Sequence, residues 1–172
     1  QGAKERALVS QISTMVGARA EELPERIDTI LGRLKAAEKE IANLRRERLA
    51  AGVDSILKSR HRVGNVDVYT ASLGEVSGAD DVRTVAIDVR GRLAEGDAAV
   101  VVITGVAKDR PSIVVATTAA GRDAGVKAGK LVSVAAKTLG GGGGGKDDLA
   151  QGGGADATKI PAAVAAIEAE LA

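Results

Sequence analysis

Leu139-Gly140-Gly141-Gly142-Gly143-Gly144-Gly145-Lys146-Asp147-Asp148-Leu149-Ala150-Gln151-Gly152-Gly153-Gly154 is the stretch around which the chain is organised. Nine of its sixteen residues are glycine, and its two glycine runs enclose Lys-Asp-Asp-Leu-Ala-Gln. Glycine lacks a Cβ, so its backbone N–H groups can come close to a ligand or another segment, at an entropic cost to folding. A flexible spacer has no use for a polar hexapeptide at its centre. The stretch therefore reads as a site rather than a linker.

Helical spacing flanks it on both sides. Residues 128–138 carry Leu131, Val132 and Ala135 on one face with Leu139, and residues 159–171 align Ile160, Val164, Ile167 and Leu171. Further upstream, residues 112–117 and 98–103 are continuous apolar runs, as expected of strands covered on both faces. Residues 105–111 turn the chain between them. Residues 66–73 read as another strand. Ser77, with Asp80 three residues on, has capping-box form and opens a helix burying Val82, Val85, Ala86, Val89 and Leu93. The order β-α-β-β-α-glycine loop-α predicts a small sheet layered with helices.

The first third is different. Residues 4–16 place Leu8, Ile12, Met15 and Val16 at helical spacing, with Gly17 as a stop and Met15 assigned to a core. A longer helix follows, with Pro24 in its first turn, where a missing N–H does no harm. Leu23, Ile27, Ile30, Leu34, Ala37, Ile41 and Leu44 recur at alternating steps of four and three, a heptad seam. Gly52 is expected to weaken this helix, and a shorter amphipathic piece follows to about Arg60. The fold class is α+β: a helical, coiled-coil segment over 1–62, then a layered α/β globular domain over 63–172. Gln1 in place of an initiator Met predicts a piece of a longer protein.

Aromatic residues are almost absent, and Tyr69 reads as packing rather than as a base-stacking platform. Cysteine is absent, which removes disulfides and thiolate metal sites and fits a cytoplasmic setting. No apolar run approaches the roughly 20 residues that span a bilayer. Residues 1–62 hold 13 Lys and Arg against 9 Asp and Glu, whereas the remainder holds 11 against 14. That asymmetry favours two units with different tasks.

Several enzymatic readings fail on the residues. Gly140 to Lys146 fits G-x-x-x-x-G-K, but Asp147 stands where a phosphate loop needs Ser or Thr, and a helix rather than a strand precedes it. Asp147 and Asp148 lack the third acid or histidine that a metal or acid–base site needs. His61 alone supports neither a zinc centre nor a triad, and reads as a surface residue near the end of a helix. No catalytic residue and no metal ligand is assigned. Exposed amides beside Lys and Arg suit phosphate, ribose and base edges of a folded RNA. Equally, glycines allow two layers to approach closely, and then the segment is architectural. The basic run with Arg45, Arg46, Arg60 and Arg62 is either a solvated helix face or a phosphate-contacting strip.

The motif resembles the carboxy-terminal region of bacterial alanyl-tRNA synthetases. There a helix, a glycine run, a basic residue, an acid, a hydrophobe, Ala-Gln-Gly-Gly-Gly and a terminal helix follow one another. Gly140–Gly145 and Ala150–Gly154 match. Lys146 replaces the usual Arg, Asp147 a Pro and Leu149 a Met, and Lys lacks the guanidinium fork. Glu22-Leu23-Pro24-Glu25-Arg26-Ile27 leads into a long helix, as in that family. The resemblance implies a non-catalytic module that grips the elbow of alanine-specific tRNA, assists aminoacylation and editing, and dimerises through its helical part. It places ATP, magnesium and zinc in other domains of the ligase. The implied contacts are Gly140, Gly141, Gly142, Gly143, Gly144, Gly145, Lys146, Asp148, Gln151, Gly152 and Gly153, with Arg45, Arg46, Arg60 and Arg62 as a second surface. The glycine motif is shared with a domain accompanying DHH-type phosphoesterases. The alternatives are therefore a purely structural dimerisation element or the accessory domain of such an enzyme.

Overall fold

A computed structural model describes residues 1–172, and the chain divides into two compact units, Gln1–Arg48 and Leu49–Ala172.

In the first unit, helix α1 (Gly2–Val16) ends at Gly17, whose φ of 67° and N–H to Ser13 O form a left-handed cap. Arg19 Nε meets Glu22 Oε1 at 2.6 Å in the short turn before α2 (Leu23–Leu57), and Arg26 Nε reaches back to Val16 O at 3.1 Å. No residue of α1 is buried. Leu8, Ile12, Ile27, Ile30, Leu34, Ile41 and Leu44 are all exposed, so the heptad seam is uncovered in the single chain from Ile27 to Leu44, and Leu23 at its start is buried. Met15 is 77% exposed and is not a core residue; nothing in the chain covers its face of α1.

The sequence expected a weakened helix at Gly52, yet α2 runs through it without a break. Glycine costs a helix interior about 1 kcal/mol. Val53 and Ile56, one turn on, are buried in the second unit's core, and that burial outweighs the cost. The boundary between units accordingly falls within α2.

The second unit is a six-stranded mixed sheet. Its strands are β1 (His61–Val63), β2 (Val66–Glu75), β3 (Ala99–Ala107), β4 (Arg110–Thr117), β5 (Gly143–Gly145) and β6 (Leu149–Gly153), in spatial order β1-β2-β3-β4-β6-β5. Helix α3 (Ala79–Gly91) connects the parallel pair β2 and β3, and every other pairing is antiparallel. The period-2 alternation of strands sorts the side chains. Val68, Val100, Val102, Ile113 and Val115 face α5 (Ala128–Leu139) and α6 (Ile160–Leu171). Tyr69, Val101, Ile103, Val114 and Ala116 face α3 and the last turns of α2. The apolar runs of β3 and β4 are thus covered on both faces, as their composition predicts.

Two local expectations change, and one short helix is added. The β3–β4 connection is a two-residue turn at Lys108 and Asp109, both with positive φ, so the strands extend further than the run of valines. The cap of α3 is Gly78; Ser77 instead donates its backbone N–H to Asp81 Oδ2 at 2.9 Å. A short helix α4 (Ala119–Asp123) sits between β4 and α5, capped by Thr118 Oγ1 on Gly121 N.

Candidate nucleic-acid interface

The glycine segment is a β-hairpin, not a loop. Gly143, Gly144 and Gly145 pair with Gly152, Gln151 and Ala150, and β6 in turn pairs with β4. Glycine has no side chain to signal a strand period, which is why this element was expected to be irregular. The structure replaces the glycine loop in the predicted order with the two strands β5 and β6.

The hairpin is held from below by its turn. Ala128 N and Gly129 N, at the start of α5, donate to the carbonyls of Asp147 and Lys146 at 2.9 and 3.2 Å. Thr117 Oγ1 donates to Asp147 O at 2.6 Å, and Asp148 O accepts from Thr117 N at 3.0 Å and Arg90 Nη1 at 2.6 Å. The carbonyls of Lys146, Asp147 and Asp148 therefore point inward. The carboxylates of the two aspartates accept none of these bonds. The α5 N-terminus that a phosphate loop would aim at an anion is occupied by these carbonyls.

The two faces of the hairpin differ. On one, the glycines are compelled by packing. A Cβ on Gly152 would stand 2.8 Å from Val132 Cγ1 of α5, and one on Gly143 would stand 3.0 Å from the same methyl. A Cβ on Gly145 would lie 2.7 Å from Ala150 Cα, and on Gly129 it would lie 2.8 Å from Gly145 O. Gly141 and Gly154 have backbone of Gly153 and Leu139 where a side chain would be. Gly140 has a φ of 79° and ends α5. For these residues the architectural explanation suffices. On the other face, Gly142 and Gly144 have no atom within 4 Å of a Cβ position, and neither has a left-handed φ.

The hairpin also ends the sheet. Gly153 N donates to Gly142 O at 3.1 Å and Lys146 N to Leu149 O at 3.0 Å. Antiparallel alternation puts the next bonded pair at Gly144 and Gln151 and turns the N–H groups of Gly143 and Gly145 to the open edge. Gly140–Gly145 and Lys146 are exposed, and Asp148, Gln151, Gly152 and Gly153 are half-buried. The α3-facing side borders a cavity of about 380 Å³ that also takes in Arg83 of α3. The Arg83 guanidinium forms no hydrogen bond or ion pair, and neither does the Lys146 ammonium group. Sequence reasoning missed Arg83, which sits beside buried Val82 on an ordinary amphipathic helix and is linked to the hairpin only by the fold.

The residues of the second predicted surface fall in two different units. Arg45 and Arg46 belong to the first unit, where Arg46 donates to Asn43 Oδ1. Arg60 and Arg62 lie at and before β1, the far edge of the sheet from β5, about 24 Å away at ~4.8 Å per strand. Arg62 Nη1 is 3.3 Å from Asp67 Oδ1. The fold of the second unit does not bring Arg60 and Arg62 to the glycine hairpin. His61 is on β1 rather than at a helix end, with Nε2 2.6 Å from Glu168 Oε1 of α6. That hydrogen bond, with a second to Ser59 O, raises the imidazole above its ordinary value.

Comparison with known proteins agrees with this architecture. The DHHA1 domain model matches residues 65–172. A curated alanine–tRNA ligase of Kineococcus radiotolerans is 56% identical over 96% of the chain and 18% of its own length; that of Thermobifida fusca is 49% identical over 98% and 19%. The chain thus spans under one-fifth of the curated relatives it matches. Among solved structures, the C-Ala domain of Aquifex aeolicus alanyl-tRNA synthetase superposes with a TM-score of 0.59 at 31% identity, over 65% of this chain and 96% of that one. No helix is long and apolar enough to cross a membrane.

Proposed function

The chain belongs to the DHHA1 family and, within it, to the C-terminal domains of alanyl-tRNA synthetases, and on that premise we propose that it is the tRNA-contacting module of an alanine–tRNA ligase. It acts in the cytoplasm on alanine-specific tRNA, and ligation with ATP and magnesium and the zinc-dependent editing belong to other parts of that enzyme. A zinc centre does not fit these residues: there is no cysteine, and the one histidine gives Nε2 to Glu168. The reading is carried by the exposed glycine hairpin, whose open face lies beside the unpaired cations Arg83 and Lys146. Amides and cations without counter-ions suit a sugar–phosphate surface.

Titration of the chain with alanine-accepting tRNA at two salt concentrations tests it. Saturable binding that weakens as salt rises is expected, because phosphate contacts release counterions. Absence of binding at low salt overturns the reading.

A second reading concerns association. The uncovered seam of α1 and α2 favours a homodimer through the helical segment, since a row of exposed Ile and Leu at heptad spacing gains by burial against another helix. Sedimentation at several concentrations checks it; a monomer throughout overturns it. Association without any tRNA affinity would favour the purely structural alternative.

A further inference from the structure

Backbone with positive φ is given to glycine almost everywhere in this chain. Gly17, Gly64, Gly74, Gly125, Gly140 and Gly145 take six such positions, and the other two belong to Lys108 and Asp109, adjacent in the β3–β4 turn with φ of 51° and 63°. Positive φ at both central residues is the arrangement for which two-residue hairpins prefer Asn-Gly. A Cβ there crowds the following carbonyl oxygen, and aspartate offsets this only when its side chain finds a local hydrogen bond. The Asp109 carboxylate accepts none. A chain with 22 glycines thus places two strained residues side by side where Asn-Gly would close the same turn.

Nothing inside the fold accounts for the strain. Lys108, Asp109 and Arg110 are exposed, and none of the three side chains forms a hydrogen bond or ion pair. The turn sets two unpaired cations on a rigid support. Ala107 pairs with Arg110, Pro111 restricts Arg110 to extended backbone, and Gly154 N donates to Pro111 O at 3.3 Å. Strand alternation puts Arg110 on the α3 side of the sheet with Val114, which lies opposite Gln151 of β6. Four residues of strand separate the two, about 13 Å. That is far enough for a contact separate from the glycine hairpin and near enough for one RNA to reach both. Residues in sparsely populated backbone regions concentrate where ligands are held.

We propose that the Lys108–Arg110 tip is a further RNA contact, in which Lys108 and Arg110 bind backbone phosphate and the left-handed turn fixes where the Lys108 ammonium stands. The tip has no aromatic ring to stack on a base, so it adds affinity and register, not sequence preference. Asp109 lowers the net charge of the tip, and its carboxylate can accept from a ribose 2′-hydroxyl. This inference rests on the tRNA-binding reading and adds to it an element outside the hairpin.

The test uses the whole chain and alanine-accepting tRNA. Lys108→Asn combined with Asp109→Gly installs the preferred turn. It is expected to raise the melting temperature of the second unit by about 3 °C or more, because the strain is released. It is also expected to weaken tRNA binding by about threefold to tenfold and to lower the slope of log affinity against log salt by about one. Arg110→Ala is expected to lower that slope equally with no change in melting temperature. Arg60→Ala, beside the opposite edge of the sheet, is expected to leave the slope unchanged. Parent protein that binds tRNA, with the double variant binding equally well, overturns the tip and leaves the broader reading intact. Parent protein that does not bind tRNA overturns both. A slope lowered as far in Arg60→Ala as in Arg110→Ala would show a general effect of charge and overturn the proposal, as would a double variant whose melting temperature does not rise.

Discussion

The helices of the first unit and the sheet of the second dispose of their apolar residues in opposite ways. Leu34 and Leu44 of α2 are 54% and 56% exposed, whereas Val100, Ile103 and Ile113 have no exposure. Both sets are regularly spaced. A sheet with helices on each face closes its own core, because strands and helices return to one another along a single chain. One long helix cannot fold back on its stripe, so its apolar residues stay exposed in the single chain.

That contrast orders the expected effects of substitution. The largest belongs to the closed core: Ile103→Ala should cost the second unit about 2–5 kcal/mol, read by denaturant unfolding. Next is the packed side of the hairpin. Gly152→Val should destabilise by about 1–3 kcal/mol, because its side chain meets Val132; an unchanged midpoint would mean that α5 can withdraw. Thr104→Val comes third, with the opposite sign. Thr104 Oγ1 is buried without a hydrogen-bond partner, so an isosteric methyl should stabilise by about 1 kcal/mol. Leu34→Glu should leave the midpoint of the second unit unchanged and abolish any self-association seen in sedimentation.

The smallest effect is pH-dependent. The His61–Glu168 bond raises the imidazole in the folded state, so its stabilisation is fully present below the ordinary His value near 6.5. It disappears as pH rises through the raised folded value. Both side chains are over one-third exposed, so solvent screens the pair and the change is modest. An NMR titration of His61 should show its raised value fall in Glu168→Gln.

The elements legible in the chain are those whose residues carry a period. The helical faces of α3, α5 and α6 and the apolar runs of β3 and β4 stand where their spacing puts them. β1 was hidden because three residues are too few for a pattern, and the glycine strands because glycine has no side chain to alternate. Lys108 and Asp109 gave no warning of their left-handed turn.

Periodicity and the glycine–lysine–aspartate motif carried the two-part organisation, the layered sheet and the resemblance to a tRNA ligase domain, since each depends on residues close together in the chain. The division of the glycines into packed and open, the removal of Arg60 and Arg62 to the opposite edge, and the arrival of Arg83 beside Lys146 came from folding alone. They depend on strand order and on which helix lies over which strand, and those contacts join residues too distant in sequence for any local pattern to record.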